Sequence, residues 1–143
     1  MINVERAMVV DRPAEEVLRY LADFGNTPGW DPGTESCVRL DTGPVAEGAQ
    51  WRTTSRFRGR RTELVYRLEQ YRPDRLVFVG HNRTVRATDD ITVRASRGRT
   101  LLVYRASLRF NGLARLAAPL LRAEFERLAD AVADRLPRVL AER

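Results

Sequence analysis

Residues 98–121, GRTLLVYRASLRFNGLARLAAPLL, change from the periodicity of a strand to that of a helix. In the first half of the stretch, alternate positions from Leu102 to Phe110 are apolar or aromatic, which is the period of a half-buried β-strand. After Asn111-Gly112 the apolar residues recur at helical spacing nearly to the end of the chain. The stretch therefore predicts a strand that leads directly into a long C-terminal helix.

The predicted C-terminal helix is amphipathic. Its apolar stripe consists of Leu121, Phe125, Leu128, Val132 and Val139, and its charged stripe consists of Arg122, Glu126, Asp130 and Asp134. An apolar stripe has to pack against another apolar surface, and no other predicted helix is long enough to cover a sheet.

The segment before this transition predicts one strand, one helix and then a series of strands. Residues 2–11 alternate as a strand does, and Pro13 opens the helical stretch PAEEVLRYLADF with two acidic residues in its first turn. The breakers GNTPGWDPG, residues 25–33, allow only a loop or a short helical turn. Residues 34–110 alternate between strands and tight turns, which predicts six more strands and an α+β domain.

Charge separates the two faces of the predicted sheet. If Gly59-Arg60 forms a two-residue turn, Thr53 lies opposite Tyr66 and Ser55 lies opposite Leu64. The face that contains these residues is free of charge, whereas the other face places Arg56 opposite Glu63. Because unpaired charges are not buried, the first face is predicted to be the inner one.

The turn at Arg97-Gly98 predicts a second hairpin with the same division. Ile91 lies opposite Tyr104 and Asp89 lies opposite Ala106 on the inner face, while the outer face pairs Asp90 with Arg105. Five polar residues thus fall on the inner face: Thr53, Ser55, Tyr66, Asp89 and Tyr104. Such groups either satisfy one another in a packed core or line a cavity that holds water or a ligand, and both alternatives remain open.

Arg6 and Asp89 each interrupt an apolar row. Pairing of the first strand with the last, with Ile2 opposite Phe110, places Arg6 opposite Ala106 and thus within reach of Asp89. The hypothesis is a buried ion pair on the inner face; the alternative is a bulge that turns one residue outward.

The composition limits the possible functions. All 25 basic residues are arginine, the formal net charge is +6, and the arginines are dispersed among acidic residues, which favours a solvated surface over nucleic-acid binding. With Cys37 and His81 as the only cysteine and histidine, neither a disulfide nor a zinc cluster is expected, and we expect no cofactor. His81 is the simplest general base to consider, although a strand-end histidine is more often at the surface.

The chain has no secretory signal pattern and no apolar run of about 20 residues, so we expect one cytoplasmic domain over residues 1–143 without an integral membrane association.

Four stretches carry a resemblance to a known family: VVDRPAEEVLRYLADFGNTPGWDP (9–32), EGAQWR (47–52), YRPDRLVF (71–78) and the opening stretch 98–121. Together they resemble the polyketide cyclase/dehydrase branch of the START-like, Bet v 1-like superfamily (SRPBCC, the helix-grip fold). The resemblance implies a seven-stranded curved antiparallel sheet wrapped around the long C-terminal helix, with one or two short helices after the first strand. No catalytic set is shared across that superfamily, so the resemblance assigns no catalytic residue.

The resemblance implies that a hydrophobic or amphipathic small molecule (polyketide-, lipid- or quinone-like) binds between sheet and helix, with the protein acting as carrier or sensor. The alternative is a metal-free cyclase, aromatase or dehydratase that uses acid–base residues of the pocket. A third class, a protein-interaction module, requires an exposed apolar patch that the sequence does not reveal. The expected pocket-lining residues are Arg6, Trp51, Thr53, Ser55, Phe57, Leu64, Tyr66, Asp89, Ile91, Tyr104, Leu121, Phe125 and Leu128.

Overall fold

Seven strands form one antiparallel sheet in the computed structural model, which describes residues 1–57 and 59–143 apart from the side chain of Phe57. They are β1 (Ile2–Val10), β2 (Thr34–Arg39), β3 (Gln50–Phe57), β4 (Arg60–Arg72), β5 (Arg75–His81), β6 (Val85–Ser96) and β7 (Arg99–Phe110). Their order across the sheet is β1-β7-β6-β5-β4-β3-β2, so β2 to β7 form a meander and β1 joins its last strand. The predicted sheet is confirmed.

Two short helices follow β1 and one long helix ends the chain, as predicted. α1 (Ala14–Ala22) begins after Pro13, and α2 (Thr27–Trp30) follows a 3₁₀ turn at Phe24–Asn26. A 3₁₀ segment, Gly112–Ala117, leads into α3 (Ala118–Ala141). None of the helices within the described ranges combines the length and the apolar character needed to cross a membrane.

The β6–β7 hairpin has the predicted register, with Ile91 opposite Tyr104 and Asp89 opposite Ala106. Asp90 lies opposite Arg105 as expected, but its carboxylate binds the guanidinium of Arg75 from β5 at 2.7 Å.

The predicted β3–β4 register is wrong by two residues. Arg60 belongs to the strand and lies opposite Phe57, so Thr53 is paired with Leu64 rather than with Tyr66. Gly59, not Arg60, occupies the turn, with a left-handed φ of 79° that favours glycine. A shift of two residues keeps every side chain on its face, and the predicted inner face is therefore retained.

The same shift changes the charge pairs on the outer face. Arg56 lies opposite Arg61 instead of Glu63, and Glu35 of β2 accepts contacts from both guanidinium groups, at 3.1 Å and 3.0 Å. A carboxylate from a third strand thus relieves the repulsion that two facing arginines would otherwise have.

The predicted β1–β7 register is also wrong by two residues. Ile2 lies opposite Leu108 and Arg6 lies opposite Tyr104, where the prediction had Phe110 and Ala106. The helix α3 packs against β1, with Ala129 buried against Ile2 and Val4.

Candidate functional site

The inner face of the sheet and the helix α3 enclose a cavity of about 480 Å³. Its mouth lies at the edge of the sheet that is formed by the strand ends, where Thr62, Val85 and Phe110 are located. Ala117 and Leu121, from the 3₁₀ segment and α3, line the mouth on the helical side. Towards the inner end the strands contribute Tyr66, Asp89 and Tyr104, and α3 contributes Val132. One step further along the same strands, Leu68, Ile91 and Leu102 are fully buried and close the cavity.

Asp89 is the carboxylate at the inner end of the cavity, and its residue is only 8% exposed. The Tyr104 hydroxyl donates to its Oδ1 at 3.5 Å, which is a long hydrogen bond, and no described residue donates to Oδ2. Burial raises the pKa of Asp89 to about 7, and the negative charge of Asp31 acts in the same direction. Asp89 is therefore poised between its neutral and charged forms near neutral pH.

Asp31, which ends α2, is a second carboxylate on the cavity wall. It accepts hydrogen bonds from the Gly33 amide at 2.9 Å and from the Thr34 hydroxyl at 3.1 Å. Burial raises the pKa of Asp31, and these hydrogen bonds and the positive charge of Arg135 oppose the shift. The two donors orient the carboxylate towards the cavity from a short loop.

Two tyrosines complete the polar inner end. Tyr66 lies opposite Gly80, and a Cβ at Gly80 would be 2.7 Å from three atoms of its ring, so only glycine leaves room for the ring there. Tyr104 is held by the edge-on ring of Trp30, with the centroids 6.0 Å apart. Burial and the nearby charge of Asp89 raise the pKa of both tyrosines well above 10, so both hydroxyls stay protonated.

The structure brings nine of the expected pocket residues to the cavity wall: Thr53, Ser55, Leu64, Tyr66, Asp89, Tyr104, Leu121, Phe125 and Leu128. Trp51 and Ile91 are instead fully buried in the core beneath the inner end, where Trp51 packs against the rings of Phe24 and Phe78. The expected role of Phe57 concerns a side chain that lies outside the described residues.

The predicted ion pair between Arg6 and Asp89 is wrong. Arg6 contacts two carboxylates of α3, Asp130 at 2.8 Å and Glu126 at 2.9 Å. It is not one of the described residues that line the cavity. The two-residue shift of β1 puts Arg6 opposite Tyr104 rather than opposite Ala106, and the helix α3, which packs against β1, supplies the two carboxylates. Asp89 consequently has no cationic partner among the described residues to offset its burial.

The sequence interpretation missed Asp31 as a site residue. Its signal was present, because Asp31 is an acidic residue in a breaker loop next to the buried Trp30, and such loops position functional side chains. The candidate base His81 lies exposed at the end of β5 and does not line the cavity in the described part of the chain. Burial, followed by the charge of Asp23, raises the pKa of Cys37 to about 12, which makes it a poor nucleophile.

The inner end therefore combines two carboxyl groups and two phenols in an otherwise mostly apolar cavity. Such an arrangement can accept hydrogen bonds through the carboxylates, donate them through the Tyr66 hydroxyl, and exchange a proton at Asp89 near neutral pH. Fold and site together define a helix-grip domain with an internal cavity that has a polar inner end.

Residues 1–141 match the model of the family described as "Polyketide cyclase / dehydrase and lipid transport", and the chain belongs to this family. A comparison with the curated proteins finds no match.

Several solved structures share the fold. The Zhui aromatase/cyclase from Streptomyces sp. R1128 is 21% identical with a TM-score of 0.78, and the match covers 98% of this chain and 92% of that one. A START superfamily protein from Mycobacterium smegmatis is 16% identical with a TM-score of 0.72, covering 99% and 95%. The di-domain ARO/CYC StfQ from the steffimycin biosynthetic pathway is 14% identical with a TM-score of 0.73, covering 99% of this chain and 51% of that one.

Proposed function

We propose that this protein binds one hydrophobic or amphipathic small molecule in the cavity between the sheet and α3, as a carrier or sensor. The observation behind the proposal is the cavity of about 480 Å³, which is the size of a small-molecule site and is lined mostly by apolar side chains with a few polar groups at one end.

The polar inner end indicates how such a ligand would be oriented. Its apolar part fits between Leu64, Leu108 and Phe125, while its polar group reaches Asp89 and Tyr66. The free Oδ2 of Asp89 accepts a hydrogen bond from a ligand hydroxyl or amine when charged, and the neutral acid donates one to a ligand carbonyl. A polar group at the inner end thus supplies hydrogen bonds that the protein leaves unmade.

A matched pair of substitutions on β7 tests ligand binding. Leu108→Trp fills the cavity from the inner face, whereas Leu101→Trp adds the same volume on the outer face. With the neutral dye N-phenyl-1-naphthylamine as probe, we expect one-to-one binding to the unmodified protein, at least a tenfold loss for Leu108→Trp and no change for Leu101→Trp. Native mass spectrometry of the purified protein would then identify a co-purified ligand. Equal binding by both variants would show that the dye does not enter the cavity, and would refute the proposal.

Asp89 supports a second candidate function, acid–base catalysis on a polyketide-like carbonyl compound. In a β-hydroxy ketone, ionised Asp89 would take the proton from the carbon next to the carbonyl, and the Tyr66 hydroxyl would stabilise the developing oxyanion. Loss of the hydroxyl group, protonated by the neutral acid that has formed, releases water and leaves the conjugated ketone. A pKa near 7 suits a group that serves first as base and then as acid.

The two candidate functions predict different effects of the substitution Asp89→Asn. For a carrier, the variant changes the affinity for a ligand but no reaction is lost. For an enzyme, the formation of a conjugated ketone, followed by its ultraviolet absorbance, should fall about 10²- to 10⁴-fold while the naphthylamine dye still binds. Absence of turnover of β-hydroxy ketones by the unmodified protein, together with normal dye binding, would leave the carrier function alone.

A further inference from the structure

Three leucines at the mouth of the cavity are strongly exposed. Leu113 is 86%, Leu116 is 77% and Leu120 is 71% exposed, whereas most large apolar side chains of the chain are buried. The spacing of three residues in the 3₁₀ segment, followed by four across the start of α3, places all three on the same side of the helical stretch. Isolated exposed leucines are ordinary, but three on one face form a patch, which we call the mouth patch.

The edge of the sheet around the mouth is strongly basic. The start of β2, which contains Glu35, lies at this edge. Three further segments meet there: residues 59–62, residues 81–86 and residues 109–122. They contain no acidic residue and seven arginines, which are Arg60, Arg61, Arg83, Arg86, Arg109, Arg115 and Arg122, and all seven are exposed. These seven arginines account for the formal net charge of +6, because basic and acidic residues are nearly equal in number in the rest of the chain.

Most of these arginines are available to an external anion. Glu35 pairs with Arg61, while the other six have no carboxylate within ion-pair distance in the described part of the chain. Arginines that are dispersed among acidic residues along the sequence are therefore brought together at this edge, because strands that are distant in sequence end side by side.

The mouth patch and the cavity share one helical stretch. Ala117 and Leu121 line the cavity, while Leu116 and Leu120, the residues just before them, face outward. A surface that covers the mouth patch thus lies directly over the cavity opening.

We infer that this edge of the protein docks on an anionic membrane surface, with the mouth patch inserted among the lipid chains and the arginines bound to lipid phosphates. Apolar side chains flanked by basic residues are the pattern of helices that lie in the membrane interface. Guanidinium groups bind phosphate in a bidentate manner, and anionic lipids attract them at short range. A soluble polyanion would bind the arginines but leave the three leucines exposed to water. A lipid surface accounts for both the arginines and the leucines. The inference concerns the outer surface and does not require the proposed ligand.

Co-sedimentation with vesicles tests this inference. The probes are vesicles of phosphatidylcholine alone and vesicles of phosphatidylcholine with one quarter phosphatidylglycerol. Arg115→Gln with Arg122→Gln removes two charges beside the mouth patch, and the matched control Arg72→Gln with Arg94→Gln removes two exposed charges near the opposite sheet edge. A third variant replaces Leu113, Leu116 and Leu120 by serine.

We expect the unmodified protein to bind the anionic vesicles, and to bind them less as salt rises. The mouth double variant should lose about 30-fold in partitioning, which is about fivefold per arginine, while the control double variant should lose much less. The serine variant should lose at least tenfold but keep its helical circular dichroism. No binding to anionic vesicles, or equal losses in the two arginine pairs, would overturn the inference. Retention of vesicle binding by the serine variant would also overturn it, because the surface would then respond to charge alone, as for a nucleic acid or an acidic protein.

Discussion

Asp89→Asn tests the buried carboxyl group at the inner end of the cavity. Asparagine has nearly the same shape and its Oδ1 still accepts from Tyr104, but it does not titrate. Asp89 has a folded-state pKa of about 7, against an ordinary value of 3.8. Because the folded-state value is raised, the stabilisation from Asp89 is fully present below about pH 4 and is lost as the pH rises through about 7.

The magnitude follows from the difference between the two pKa values. About three pKa units, at about 1.4 kcal/mol each, give a loss of about 4 kcal/mol in the free energy of unfolding between about pH 3 and pH 8. A domain of this size has a total stability of about 5–15 kcal/mol, so this loss is large. We therefore expect Asp89→Asn to differ little from the unmodified protein near pH 4 and to be more stable by about 4 kcal/mol near pH 8.

Urea unfolding at several pH values measures this difference. The comparison of the two proteins at each pH removes the contributions of all carboxyl groups that titrate equally in both, and an unchanged m value confirms that the same surface is exposed. Asp31→Asn serves as a second comparison, because removal of its charge should lower the pKa of Asp89 and shrink the effect. Parallel stability profiles of Asp89→Asn and the unmodified protein from pH 4 to pH 8 would refute the assignment of Asp89 as a buried, unpaired carboxyl group.

Three further predictions test the fold around the site. Arg6→Met should cost only about 1 kcal/mol in urea unfolding, because its ion pairs with α3 are partly exposed, and a loss above about 3 kcal/mol would indicate a buried pair after all. Gly80→Ala should destabilise the protein by about 1–3 kcal/mol through its clash with Tyr66, and a much smaller cost is expected when Tyr66 is already alanine; equal costs in both backgrounds would contradict the close contact. Leu102→Asp should abolish folding because it buries a charge, whereas Leu101→Asp on the outer face should still give a cooperative thermal melt; the reverse order would invalidate the face assignment.

The local pattern of residues was enough to predict the elements of the fold and the faces of β3, β4, β6 and β7. Side chains in a strand alternate between its two faces, so the charges on alternate residues of β3, β4, β6 and β7 identified the solvent-exposed face without any knowledge of the partner strand. The Arg97-Gly98 turn is short, and the β6–β7 register followed from it correctly. The change to helical spacing after Gly112 predicted the long helix that covers the sheet.

The register between strands was harder to predict from the sequence, for a related reason. A shift of two residues leaves every side chain on its own face, so the charge pattern cannot detect it. The β3–β4 turn was misplaced in this way, and the β1–β7 pair, whose strands are far apart in the sequence, had no turn to fix it.

The partners of the charged residues were decided by tertiary packing alone. Arg6 was placed on the inner row, but its partners Glu126 and Asp130 come from a helix more than 100 residues away. Asp31 becomes part of the cavity only because its loop folds under α3, and seven arginines from three separate segments become one basic edge only because antiparallel strands end together. The period of each segment, and hence its type of element and its buried face, could be predicted because it depends on neighbouring residues. The pairings, the cavity and the charge of the sheet edge depend on distances between remote residues, which only the folded chain defines.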